Sequence, residues 1–531
     1  MLVRINNIRV GLANEHSLTE IIAHKLRVVP NHLKSLKILR RAVDARRKNN
    51  VCLVYHVLID LTESTKKIAD LMARQEILPW QEAGEEIIKF GQEPLADRPV
   101  VIGLGPAGLM AALELAKNGY KPLVLERGKA LKDRIKDVEA FWTKGEFNPD
   151  SNVQFGAGGA GTFSDGKLTT RVNDSAMGYI LQTFVAAGAP EDILYEQKPH
   201  VGTDKLRAMV EGMLRAIVKE GGAICYETQV VELILKNNAL VGVKTNKGET
   251  INTNAVILAC GHSARDTYAM LARQQVAIEA KPFAIGVRIE HDQELINKAQ
   301  YGAFAQHPKL GAADYGLVCH LKETGRTAYS FCMCPGGKIV ASASEVGGVV
   351  TNGMSLYARD SGLANSALLV NVGPADFTGG VLGGVELQRR YERLAFAAAG
   401  SNYYAPAQNS KSFLNDTAPS LEIGFTPSYR PGLKAVALEK VLPSYVVATL
   451  RGGLKDFGRR LPGFDLEGLL VGVETRSSAP IRIMRKANGE SLNNSGLYPT
   501  GEGAGYAGGI MSAALDGYHQ ARHLMERFKG V

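Results

Sequence analysis

Apolar residues along the chain fall into blocks whose spacing shifts between strand-like and helix-like periods, outlining an alternation of short strands and helices. Residues 1–12 read as a strand through Leu2, Ile5, Ile8 and Val10. Residues 17–26 read as a helix, with Ser17 as N-cap and Glu20 at the capping-box spacing. Pro30 breaks the chain, 36–40 and 51–59 read as strands, and a further helix is expected over roughly 62–77. Together they predict a β-α-β-β-α module of ferredoxin-like type over 1–80. Pro79, Gly84, Gly91 and Pro94 then mark a linker, 81–96.

The apolar run Val100-Val101-Ile102 leads into Gly103-Leu104-Gly105-Pro106-Ala107-Gly108. A helix follows through Leu109, Ala112, Leu113 and Ala116, and Gly119 stops it. A second apolar strand then ends at Glu126-Arg127. Each part has a job in holding a dinucleotide: Gly103 permits a tight turn, Gly105 lets backbone approach a pyrophosphate, and Gly108 allows close helix–strand packing. The phosphates would sit at the positive helix end, and Glu126 would accept from an adenosine ribose.

A helical stretch is expected near 129–141. The next segment, 153–168, holds five glycines in eleven residues and can form neither a stable helix nor a strand. Backbone contact with a ligand is the favoured use of Gly158, Gly159 and Gly166, with Thr162, Ser164 and Asp165 as polar contacts; a surface turn cluster is the alternative. Residues 204–220 form the clearest amphipathic helix, with one apolar stripe running from Leu206 to Val218. A three-stranded meander over 223–226, 229–235 (with Val230) and 240–245 follows, then a buried strand ending at Cys260-Gly261.

Residues 276–472 are rich in glycine, aromatics and short strands, and contain no second Gly-x-Gly-x-x-Gly after a strand. They read as an inserted α+β substrate or cap domain. The chain returns at 473–531 with a strand at 497–500, the loop Gly501-Glu502-Gly503-Ala504-Gly505 to Gly509-Ile510-Met511, and a last helix to about 528. Ala514, Tyr518, Ala521, Met525 and Phe528 would face inward. The fold class is therefore α/β. A Rossmann-like, two-dinucleotide-binding-domain flavoprotein (97–275 and 473–531) carries the inserted domain and the N-terminal module.

The second glycine loop selects the cofactor. Entering a helix far along the chain from the pyrophosphate site, it supplies a positive end for an isoalloxazine, which collects negative charge near N1 and the C2 carbonyl on reduction. Glu502 would reach the ribityl or pyrophosphate region. FAD, held non-covalently, is the expected cofactor, and NAD(P)H is expected only as a transient reductant in the substrate cleft.

Cys332-Met333-Cys334 offers two thiols that either pack in a strand or exchange electrons; a Cys-x-Cys disulfide closes a small, easily reduced ring. With His262, which follows the strand-ending Gly261 and whose favoured alternative is a hydrogen-bonded structural role, they are the weak candidates for catalysis. Arg476 and Arg482 are candidates for an acidic substrate or phosphate, or for ordinary salt bridges. No metal-ligand spacing is present around Cys332, Cys334 and His320.

Composition changes the picture at one place. The net charge is +9, and residues 1–50 hold eleven Lys/Arg against three Asp/Glu, so the N-terminal module carries most of it. An acidic partner or RNA at Lys34, Lys37, Arg40, Arg41, Arg46, Arg47 and Lys48 is one consequence, and simple solubility the other. Six scattered cysteines argue for a reducing compartment, the cytoplasm by default. No apolar run spans a bilayer.

The segments Gly103–Gly108, 155–168, Phe331-Cys332-Met333-Cys334-Pro335-Gly336-Gly337, Asn352-Gly353-Met354-Ser355, Glu474-Thr475-Arg476 and 501–509 resemble a bacterial family of FAD-dependent dehydrogenases (NAD/FAD-utilising dehydrogenases) in the wider glutathione-reductase-like flavoprotein class. The resemblance spans nearly the whole chain. It implies non-covalent FAD, the two-dinucleotide-binding-domain fold and an inserted substrate domain, and it names no substrate. Ala157 stands where relatives tend to carry a glutamate, which argues against a catalytic carboxylate there. Glu502 replaces the aspartate more usual in the wider class. The expected activity is hydride transfer between flavin N5 and an organic substrate. The alternatives are RNA modification with docking through the basic module, or partnership with an acidic electron carrier.

Overall fold

A computed structural model describes residues 1–62, 65–80 and 88–530; the expected linker glycine Gly84 lies outside them. At the N-terminus, Leu33–Asp44, Cys52–Leu61, Leu2–Gly11 and Ile77–Pro79 form one antiparallel sheet in that order. Helix Leu18–Leu26 begins with the expected Ser17–Glu20 capping box. The second helix is shorter than its sequence suggests, Lys66–Ala73. Gln75 turns the chain at φ 58°, and Ile77 then joins the free edge of Leu2–Gly11 as a fourth strand. That edge supplies backbone partners and a buried site for Ile77, which outweigh one more helical turn.

The central sheet is parallel, ordered Leu497–Pro499, Val256–Leu258, Val100–Ile102, Leu123–Leu125 and Ala223–Cys225. The strand expected to open the meander is thus an edge of this sheet. The meander is made of Val230–Lys236, Ala239–Thr245 and the unforeseen Thr250–Asn252. Helices Pro106–Lys117, Thr203–Lys219 and Ile510–Arg527 bury one face of the parallel sheet, and the meander packs on the other through Val230, Leu233, Leu240 and Val243. All five inward residues named for the last helix are buried. Val218, placed in the stripe of Thr203–Lys219, is instead 56% exposed at the end of that helix.

A seven-stranded sheet occupies the middle of the chain, ordered Val318–Leu321, Arg326–Cys334, Leu363–Val372, Phe283–Asp292, Leu469–Glu474, Ala405–Asn409 and Leu433–Ala435. Helix Ser444–Arg460 covers it through Val446, Val447, Leu450, Leu454 and Phe457. Strand Leu469–Glu474 crosses the 472/473 boundary expected from the sequence and stays in this sheet. The N-terminal module leans on the body through Arg41, whose backbone exchanges hydrogen bonds with Tyr195 and Gln197 and whose side chain pairs with Glu196.

Helices Pro106–Lys117 and Ile510–Arg527 touch at Gly517, where a Cβ would come 2.1 Å from the Ala107 carbonyl oxygen. Gly517→Ala must therefore push the two helices apart. We expect about 1–3 kcal/mol of destabilisation in urea melts, whereas Gly119→Ala, which has open space, serves as a control for backbone strain alone.

Candidate active site

A cavity of about 360 Å³ opens where the parallel strands end. Gly103, Glu126, Ala259 and Thr500, each the first residue past its strand, all line it. This is where open parallel sheets bind ligands, because chain turns there expose backbone amides. Gly103 takes φ 97° and a Cβ would meet the Ala259 carbonyl oxygen at 2.4 Å. Gly105 caps helix Pro106–Lys117 with no side chain, leaving the helix start open to the cavity. Gly108 stands behind the lining: a Cβ there would lie 1.9 Å from the Gly103 oxygen, so it serves close packing.

The glycine-rich loop is pinned against this turn by one cation and one anion. Arg134 is fully buried, and its guanidinium donates to the carbonyl oxygens of Asn152, Val153, Gly156, Ala157 and Gly159. Burial pulls its pKa down, to about 9. Glu126 accepts from the amides of Leu104, Gly128 and Gly156. Gly159 is thereby held so near Gly105 that a Cβ on it would come 2.7 Å from the Gly105 Cα. Arg134 escaped the sequence reading. Its signal was a charge on the buried face of Leu131–Lys144, in register with Leu131, Val138 and Phe141.

Of the other predicted positions, Pro106, Ala107, Arg127, Gly159, Ser164, Asp165, Gly166, Val230, Cys260, Gly261, Glu502, Gly509 and Ile510 line the cavity. Gly158 and Thr162 sit behind the loop against helix Thr203–Lys219, and Met511 faces the core. Gly501 also stands back; its amide donates to Asp516, which Arg485 holds with two bonds, and Tyr268 ties down the Gly503 carbonyl. Arg127 lies over the Phe155 ring and pairs with Asp266 and Asp150.

His262 and Cys332 line the cavity, while Cys334 is buried behind it. The His262 Nδ1 is 3.3 Å from Glu502 Oε1, and its buried Nε2 has no hydrogen-bond partner. The far wall comes from the seven-stranded sheet and its flanks: Phe331, Cys332, Asn352, Glu474, Arg476 and Ser477. Arg476 is committed to Glu392, which also pairs with buried Arg265. Arg482 lies outside the lining, near Glu279. Burial pushes the Asp165 carboxyl up, but Lys167 and Arg359 outweigh it and hold the group below the usual carboxylate range.

Residues 97–267 match the family model described as pyridine nucleotide-disulphide oxidoreductase, 282–477 match FAD-dependent protein, C-terminal domain-like, and 2–60 match a domain of unknown function. An uncharacterized protein of Clostridium beijerinckii is 47% identical over 534 residues, covering 99% of both chains. The chain belongs to an FAD-dependent oxidoreductase family. A digeranylgeranylglycerophospholipid reductase of Methanocaldococcus jannaschii is 33% identical over 87 residues, 16% of this chain and 22% of that protein. Among solved structures, an L-proline dehydrogenase from P. horikoshii is 14% identical, covering 82% of this chain and 94% of that one at a TM-score of 0.38.

The cofactor of this enzyme is FAD, and the residues present fit it. Gly103 and Gly159 pack so closely on Ala259 and Gly105 that neither has room for a Cβ, two helix starts without side-chain caps face one cavity, and the cavity-lining His262 has a buried Nε2 with no hydrogen-bond partner. Among the described residues no helix is long and apolar enough to cross a membrane, and no acid, His or Cys cluster could hold a metal.

Two outcomes follow. Arg134→Met leaves buried carbonyls without donors, so the holoprotein should lose more than about 3 kcal/mol and retain little FAD after gel filtration; full FAD retention would contradict the clamp. Asp165→Asn should cost about 3 kcal/mol at pH 7 by stranding Arg359. Because the folded pKa of Asp165 is depressed, its contribution is complete above about pH 4 and fades as pH falls through the folded pKa. The gap between wild-type and variant urea midpoints should therefore close in acid.

Proposed function

We propose that the enzyme moves a hydride between flavin N5 and a small organic substrate seated against the wall made by the seven-stranded sheet. One observation supports this most: a single cavity joins the nucleotide-type turn at Gly103–Gly108 to Phe331 and Cys332 of the inserted segment and to Glu474 and Arg476 just past it. Bound FAD supplies the two-electron chemistry. The Gly105 helix start would hold the pyrophosphate, and Glu126, whose carboxylate offers about four acceptor sites, would take the adenosine ribose with the capacity left beyond its three amides. Glu502 would meet the ribityl chain, and the Gly509–Ile510 helix start would favour the reduced, anionic ring. His262 would exchange a proton through Nε2, with Nδ1 oriented by Glu502.

The parallel sheet with its meander supports placing the fold in the glutathione-reductase-like class, with 97–275 and 473–531 carrying FAD and 276–472, together with Glu474, Arg476 and Ser477, the substrate wall. NAD(P)H, lacking a second fingerprint, would enter the same cavity. The purified holoenzyme should show flavin bands that bleach anaerobically with some alcohol, amine or quinol. A broad substrate screen that never changes the bound flavin's spectrum would overturn the reading.

A further inference from the structure

The cavity wall carries one thiol, Cys332, with a second, Cys334, buried behind it. Strand Arg326–Cys334 pairs with Leu363–Val372 as far as Phe331 opposite Ala367, then resumes only at Cys334 opposite Asn365. Cys332 and Met333 bulge from the ladder, and Cys332 takes φ 42°, a left-handed conformation that a non-glycine residue adopts at a cost. Such strain persists where surrounding structure imposes it, and clusters at functional sites. Here the imposing group is Arg288. Its Nη1 donates to the Cys332 carbonyl at 3.2 Å and to Asn365 Oδ1 at 2.7 Å and lies 3.8 Å from the Cys334 sulfur, while Glu474 and Asn352 hold its Nε and Nη2.

The two thiols differ in the way an exchanging pair requires. Cys332 lines the cavity with Lys167, and Cys334 is buried behind it, its sulfur 3.3 Å from the Cys332 carbonyl oxygen. A hydrogen bond from the Cys334 thiol, helped by Lys167 and Arg288, holds the Cys332 thiol below the ordinary range despite burial. The same hydrogen bond, with burial, pushes Cys334 up. Cys260 lines the cavity as well but has no second thiol, and burial pushes it up to about 12.

We propose that Cys332 and Cys334 form a dithiol–disulfide couple that exchanges two electrons with the FAD in this cavity, an inference that rests on the flavin ring lying there. In the oxidising direction an S–S bond forms between the Cys332 thiolate and Cys334, the Cys334 S–H bond breaks, and its proton with two electrons passes to FAD. The products are the disulfide and the singly anionic reduced flavin, so charge and hydrogen balance without another reactant. The reverse step breaks the S–S bond and reoxidises the flavin.

Anaerobic dithionite titration of oxidised holoenzyme tests this. Wild type should take up four electrons per bound FAD, and Cys332→Ser and Cys334→Ser only two. Independently of any variant, alkylation and peptide mass mapping of wild type should find the Cys332–Cys334 peptide lighter by two hydrogens and unalkylated when oxidised, and doubly alkylated when reduced. The peptides of Cys52, Cys225, Cys260 and Cys319 should be the same in both states. Two-electron uptake with FAD intact, together with full alkylation of oxidised protein, would overturn the couple alone. A protein that binds no FAD would overturn the proposed function as well.

Discussion

The structure depends on satisfying a loop that cannot satisfy itself. Residues 152–159 form neither helix nor strand, so their carbonyls and amides must find partners elsewhere or carry the cost of burial. Arg134 meets five of the carbonyls and Glu126 meets the Gly156 amide. Both ions are buried, yet their neighbours are backbone dipoles fixed in place by glycine. A Cβ at Gly156 would lie 2.4 Å from the Arg134 Cδ, and one at Gly128 would lie 2.6 Å from Gly156. Clamped from behind, the loop presents Gly159 to Gly105 and lines the cavity through Gln154, Phe155 and Gly156.

A second buried ionic cluster links the two large sheets. Arg265 starts the helix that follows a parallel strand, Glu392 lies on helix Gly383–Ala398, and Arg476 follows strand Leu469–Glu474. Glu392 takes two bonds from each arginine and one from Thr475. The two arginines hold its carboxyl far below the usual range against a burial penalty that alone would raise it. Paired and hydrogen-bonded in this way, the charges fix the wall of the cavity relative to its nucleotide end. Arg476, which the sequence offered as a substrate anchor, is occupied in that task.

The nucleotide turn was legible because its information is local: strand, glycines, helix and acid follow each other within thirty residues. The last helix was legible for the same reason, its inward positions repeating at helical spacing. What escaped depended on distant partners. Strand 223–225 was read into the meander because its neighbours in sequence are strands, but its partner in space is Leu123–Leu125. Ile77 looked helical until the free edge of Leu2–Gly11 became visible. Arg134 reads as one more charge on a polar helix, since its carbonyl partners begin eighteen residues on. The motif Cys332-Met333-Cys334 was visible, but its bulge is set by pairing with Leu363–Val372.

In the proposed site one FAD bridges three segments remote in sequence: the turn at 103–108, the clamped loop at 152–166 and the loop at 501–510. Hydrogen–deuterium exchange of the apoprotein with and without added FAD tests it most directly. Slowed exchange is expected in all three segments together, with strand Val318–Leu321 unchanged. Protection confined to one segment, or none in 501–510, would contradict it.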